Sequence, residues 1–83
     1  MNLFVGNISK LVRTEALQAL FSEFGEVASA HVVVDNITKE SKGFGFVEMP
    51  NDYQANEAIY SLTNAVFFGS KLFVSKARPR DSR

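Results

Sequence analysis

The segment Lys42-Gly43-Phe44-Gly45-Phe46-Val47-Glu48-Met49 constrains this chain more than any other. It reads as a β-strand, and strand side chains alternate between the two faces of a sheet. One face receives Gly43, Gly45, Val47 and Met49, and the other Lys42, Phe44, Phe46 and Glu48. A charged side chain faces a core only at high cost. Lys42 and Glu48 therefore mark the outer face, and Phe44 and Phe46, in phase with them, share it. Two aromatic rings are thus committed to a surface by pattern alone.

The rest of the chain alternates strands and helices. Leu3-Phe4-Val5 is a short β-type run ending at Gly6-Asn7, a turn signal. Ala16, Leu17, Leu20, Phe21 and Phe24 recur at helical spacing. Thr14 or a neighbour is expected to cap that helix, and Gly25 to end it as a C′ glycine. Val27 to Asp35 is rich in β-branched residues and reads as a strand. Asn36 to Lys42 is a polar connection, and Gly43 to Met49 the next strand. Pro50-Asn51-Asp52 stops that strand and starts a helix with the stripe Ala55, Ala58, Ile59 and Leu62. Asn64 to Ser70 reads as turn-rich, Leu72 to Ala77 as the last strand, and Pro79 ends regular structure. The order is β-α-β-β-α-β. The expected fold is α+β and ferredoxin-like, a four-stranded antiparallel sheet with both helices on one face. Such a sheet leaves its other face open.

The same alternation assigns the remaining strands. Leu3, Val5, Ala30, Val32, Leu72 and Val74 suit the core. Phe4, Gly6, His31, Val33, Phe73 and Ser75 fall on the open side. Glycines behind the central aromatics leave room for helices to pack close. A monomer rarely exposes such an apolar cluster without use. Rings on an open sheet, flanked by cations, form a platform on which single-stranded bases stack. Phe21, Phe24 and Phe67 read as core. Phe73 is left open between the platform and sheet packing or partial cover by the tail. Asn7 reads as a turn residue, and His31 as an exposed strand histidine.

Composition bounds the alternatives. At 83 residues the chain is one domain. It has no cysteine, so its core must come from side-chain packing, which eight Phe and a 46% hydrophobic content can supply. Lack of cysteine fits a reducing compartment. No apolar run reaches the roughly 18 residues of a membrane span, and no signal peptide is evident, so a cytoplasmic protein without membrane contact is expected. Net charge is zero, which argues mildly against nucleic acid. The charge is nevertheless segregated. Residues 14 to 35 carry Glu15, Glu23, Glu26 and Asp35 with no Lys or Arg, whereas Lys71, Lys76, Arg78, Arg80 and Arg83 gather near the end.

These residues resemble the RNA recognition motif (RRM) family. Lys42 to Met49 fits the family octamer K/R-G-F/Y-G/A-F-V-x-F/Y at every position but the last. Leu3-Phe4-Val5-Gly6-Asn7-Ile8 looks like its hexamer. Phe24-Gly25-Glu26-Val27 and Ala77-Arg78-Pro79-Arg80 also look like family text. The resemblance spans Leu3 to about Arg80 and is strongest to short stand-alone bacterial members. It implies a motif over residues 1–78 and a short basic tail over 79–83. It further implies that Phe4 with Phe44, or Phe4 with Phe46, stacks on successive bases while the remaining octamer Phe lies against a ribose. Lys42 would pair with a phosphate, and Lys76, Arg78 and Arg80 would line the edge of the path. Met49 replaces an aromatic on the core side, Ser70 stands where many relatives carry Arg, and Glu48 puts a negative charge on the platform. With about two to four phosphate contacts, salt dependence should be modest.

The expected partner is single-stranded RNA, with single-stranded DNA left open because a ring reads π-surface and not a 2′-hydroxyl. A monomer with no metal and no cofactor is expected. The alternative is a protein–protein interaction module that uses the same apolar face. Catalysis is not expected. With one His and no Cys, no nucleophile–base pair stands out, and Gly6-Asn7-Ile8-Ser9 with Arg13 is only a loose echo of an acyl phosphatase anion cradle.

Overall fold

The structure is a computed structural model that describes residues 1–77. Arg78, Arg80 and the tail over 79–83 lie outside the described residues. The elements are β1 (Asn2–Gly6), α1 (Thr14–Ser22), β2 (Ser29–Val34), β3 (Ser41–Glu48), α2 (Asp52–Leu62), a ribbon of β4 (Val66–Phe67) and β5 (Ser70–Lys71), and β6 (Phe73–Lys76). The main sheet has the order β2-β3-β1-β6 and is antiparallel throughout. The fold is the β-α-β-β-α-β sandwich that the sequence pattern predicts.

Alternation builds the core. Leu3 and Val5 of β1, Val47 of β3, Met49 just after it and Val74 of β6 are buried on one side of the sheet. The helices meet them with Leu17 and Phe21 of α1 and Ala55, Ala58 and Leu62 of α2. Met49 fills its place with almost no exposure, so the missing aromatic is a packing change. Gly45 is tightly enclosed by β2 and α1. An added Cβ there would stand 2.5 Å from the His31 carbonyl oxygen and 3.3 Å from Leu17 Cδ2. Phe24 and Phe67 flank this core and are only partly buried.

Two expectations are corrected. Thr14 does not cap α1. The N-cap is Arg13, which makes no side-chain capping bond, and the Thr14 hydroxyl accepts the Val32 N–H at 3.2 Å, tying the helix to β2. Asn51, by contrast, caps α2 and accepts the Gln54 N–H at 2.9 Å. Gly25 is not C′. The helix ends at Ser22 with Glu23 as C-cap, so Gly25 lies one residue further on. Its need is close approach, since a side chain there would collide with Gln54. The turn-rich segment is a hairpin. Phe68 and Gly69 sit at φ 54° and 82°, the left-handed pair that a tight two-residue hairpin requires.

Candidate nucleic-acid interface

The uncovered face of the sheet is organised in cross-strand rows. In one row His31, Phe46, Phe4 and Ser75 stand side by side across β2, β3, β1 and β6. In the next, Phe44, Gly6 and Phe73 stand side by side. Gly6 explains how the rows merge. It leaves a gap between Phe44 and Phe73, and the Phe4 ring leans over it, 2.9 Å from where a Cβ would sit. Phe4 thereby becomes the centre of the cluster. Its centroid lies 5.8 Å from Phe44, 5.7 Å from Phe46 and 6.3 Å from Phe73. The rings are tilted or edge-to-face, as their quadrupoles favour.

Phe4, Phe44 and Phe46 lie together on the uncovered face, each half-buried, where strand alternation places them. Phe73 lies on the same face beside Phe4 and is 54% exposed. His31 is an exposed strand histidine, as its strand phase predicts. Register sets it opposite Phe46, with ring centroids 6.0 Å apart. The signal was present in its strand phase, but only pairing with β3 identified the neighbour.

The argument that oriented the octamer holds at one end only. Between Val32↔Gly45 and Val34↔Ser41 the β2–β3 register slips, and Lys42, Gly43 and Phe44 face Val33 alone. Gly43 has φ +90°, a conformation most side chains resist, and nothing but the Ile8 carbonyl oxygen comes near its Cβ position. Gly43 therefore serves the bulge, not close helix packing. Strict alternation breaks there, so Glu48, at the end of the unbroken stretch, sets the phase and Lys42 does not.

The charged candidates are spread out. Lys42 is exposed beside the β2–β3 turn. Asp35 in that turn accepts the Ile37 and Thr38 N–H groups at 2.8 and 3.0 Å. These bonds, Thr38 first, hold its carboxyl below the ordinary range, with the charge of Lys42 adding to the effect. Lys76 is exposed but pairs with the core residue Leu3. Its side chain therefore starts on the helix side of an edge strand, opposite to the rings. Asn7, at φ 57°, donates its amide to the Lys71 carbonyl at 2.6 Å and anchors the hairpin. Its role as a turn residue is what the geometry displays.

A cavity of about 500 Å³ lies away from the rings, between the start of α1 and the β2–β3 turn. Lys10, Arg13 and Lys39 share it with Glu15 and Glu40, and Lys10 approaches Glu40 at 3.9 Å. Among the described residues no group of three or more His, Asp or Glu could hold a metal ion, and no helix is long and apolar enough to cross a membrane.

Comparison with known proteins gives the same picture. The model of the RNA recognition motif matches residues 3–72. A Nostoc sp. (strain PCC 7120) protein named "Putative RNA-binding protein RbpB" is 43% identical over 83 residues, covering 100% of this chain and 81% of its own length. The crystal structure of "RNA Binding Protein PG1" superposes with a TM-score of 0.94 at 44% identity, covering 99% of each chain. A complex of the Sxl-lethal protein with RNA superposes with a TM-score of 0.90 at 28% identity, over 98% of this chain and 48% of that one. A sheet with aromatic rows on its open face, a motif match over most of the length and relatives that align over the whole of this chain converge on one conclusion: the chain belongs to the RNA recognition motif family.

Proposed function

We propose that this protein binds single-stranded RNA by stacking bases on Phe4, Phe44 and Phe46, with Lys42 and the basic residues Arg78 and Arg80 contributing phosphate contacts. RNA binding as such is supported by the family and by a family member in complex with RNA. One observation carries the finer reading: rings within about 6 Å of each other form a continuous aromatic surface that no helix covers. Each base has a π-face, so such a surface accepts successive bases with little regard to sequence.

Electrostatics is the minor partner. The chain is neutral overall, and Lys42 shares its surroundings with Asp35. Affinity should therefore rest on stacking, which contributes about 1–3 kcal/mol per base. Single-stranded DNA should compete, because rings do not sense the 2′-hydroxyl. The protein acts as a cytoplasmic monomer with no catalytic step, in keeping with a family that is generally non-enzymatic.

Titration of short labelled RNA oligomers by fluorescence anisotropy tests the reading. Wild-type protein should bind single strands and prefer them to duplex. Unchanged affinity in both Phe44→Ala and Phe46→Ala would sink the stacking mechanism. A stable dimer by light scattering, with the rings shielded, would favour a protein-docking face instead.

A further inference from the structure

The open face carries a third cross-strand row that aromatic stacking leaves unused. Two residues beyond the Phe46–Phe4 pair, Glu48 stands opposite both Asn2 of β1 and Ser29 of β2. The Ala77 N–H extends the row, donating to the Asn2 carbonyl at 2.7 Å. With Phe46 and His31 these residues line a depression of about 200 Å³. Stacking needs no such polar row, and an acidic group there opposes phosphate binding. Its place beside a ring suggests a different role.

The geometry suits the edge of a base. Residues two apart on a strand stand about 6.5–7 Å apart. A base centred over Phe46 carries its exocyclic groups about 3.5 Å outward and hydrogen-bonds across roughly another 2.9 Å. Its edge therefore meets the Glu48–Asn2–Ser29 row. Among the described residues no cation pairs with Glu48, and its only side-chain partner there is the Ser29 hydroxyl, donating at 3.4 Å. The carboxylate is free to accept.

A carboxylate accepts and cannot donate. Its two oxygens match two adjacent N–H groups. Guanine presents such a pair, N1–H beside the 2-amino group, with the O6 acceptor next to them. Uracil sets its single N3–H between two carbonyl oxygens, which a carboxylate repels. Cytosine and adenine offer one amino group beside a ring nitrogen lone pair, so one carboxylate oxygen is satisfied and the other opposed. The Asn2 amide can supply the donor that O6 needs.

We infer that Glu48, assisted by Asn2, is a base-reading site that selects guanine over uracil for the nucleotide stacked on Phe46. This rests on the open face being the RNA platform. Flipped or unstacked bases are read through hydrogen bonds to their Watson–Crick edge, and Glu48 supplies the specificity that bare rings lack.

Anisotropy with the labelled pentamers UUGUU, UUAUU, UUCUU and UUUUU tests it. Wild-type protein should bind UUGUU about tenfold more tightly than UUUUU, the size of one good bidentate base contact. Inosine in place of guanine, which lacks the 2-amino group, should lose most of that gain. Glu48→Ala should keep its circular dichroism spectrum, since the residue is exposed, and should bring UUGUU and UUUUU within about twofold of each other. Equal wild-type affinity for all four pentamers overturns the inference and leaves the platform standing. A guanine preference that survives in Glu48→Ala also overturns it, as does a uniform rise in affinity with an unchanged ratio. Failure to bind any pentamer overturns the platform itself.

Discussion

Phe4 and Phe46 stand directly opposite each other on adjacent antiparallel strands, their ring centroids 5.7 Å apart and their planes at 63°. Phe4 also neighbours Phe44 and Phe73. The β1–β3 and β1–β6 registers bring the four rings together.

Alanine in place of Phe4 or Phe46 should weaken RNA binding by about 1–3 kcal/mol each. The double variant should lose less than the sum, because touching residues couple. Isothermal calorimetry on the four members of the cycle measures this. Strict additivity would show that the two rings serve independent bases without mutual support.

Lys42→Ala should reduce the slope of log affinity against log salt by about 0.7, the value of one phosphate contact on a single strand. The neighbouring Asp35 carboxylate predicts a drop at the low end of that figure. Anisotropy titrations across a salt series provide the check, and an unaltered slope would remove Lys42 from the interface.

Gly45→Ala should destabilise the fold by about 1–3 kcal/mol, as overpacking does. The added methyl would press on backbone at the His31 carbonyl oxygen and on Leu17, and backbone cannot step aside cheaply. Gly69→Ala meets no neighbour within 4 Å but keeps φ +82°, so it should cost only about 1–2 kcal/mol of left-handed strain. Urea unfolding monitored by circular dichroism ranks the two.

The helix starts should respond in opposite directions. Asn51→Ala removes a formed cap and should lower stability by about 1 kcal/mol. Arg13→Asp supplies a cap where none exists and should raise stability by about 0.5–1 kcal/mol, with a favourable charge at the helix N-terminus adding to the bond. In a domain of this size each kcal/mol moves the melting midpoint by about 4–8 °C, which thermal melts resolve easily.

Much of the site was legible before folding because a strand's faces are encoded with a period of two. Phe4, Phe44 and Phe46 needed only alternation and one fixed charge, Glu48. The parts that were not legible depend on partners distant in sequence. His31 beside Phe46, Phe73 beside Phe4 and the Glu48–Asn2–Ser29 row all join residues on different strands, and no local pattern states which strand lies next to which. Lys42 is the instructive case. Its charge pointed to the right face, yet the bulge at Gly43 means that alternation did not justify the step.

The sequence by itself determined the order of the main strands and helices, most of the buried face of β1, β3 and β6 and the face of the central rings, because these follow from periodicity and from the cost of burying charge. Tertiary structure alone decided how the open face is arranged. Register across β2, β3, β1 and β6 made separate phenylalanines into one surface around Gly6 and set a polar row beside Phe46. Hydrogen-bond pairing between strands joins residues distant in sequence, which no local pattern encodes.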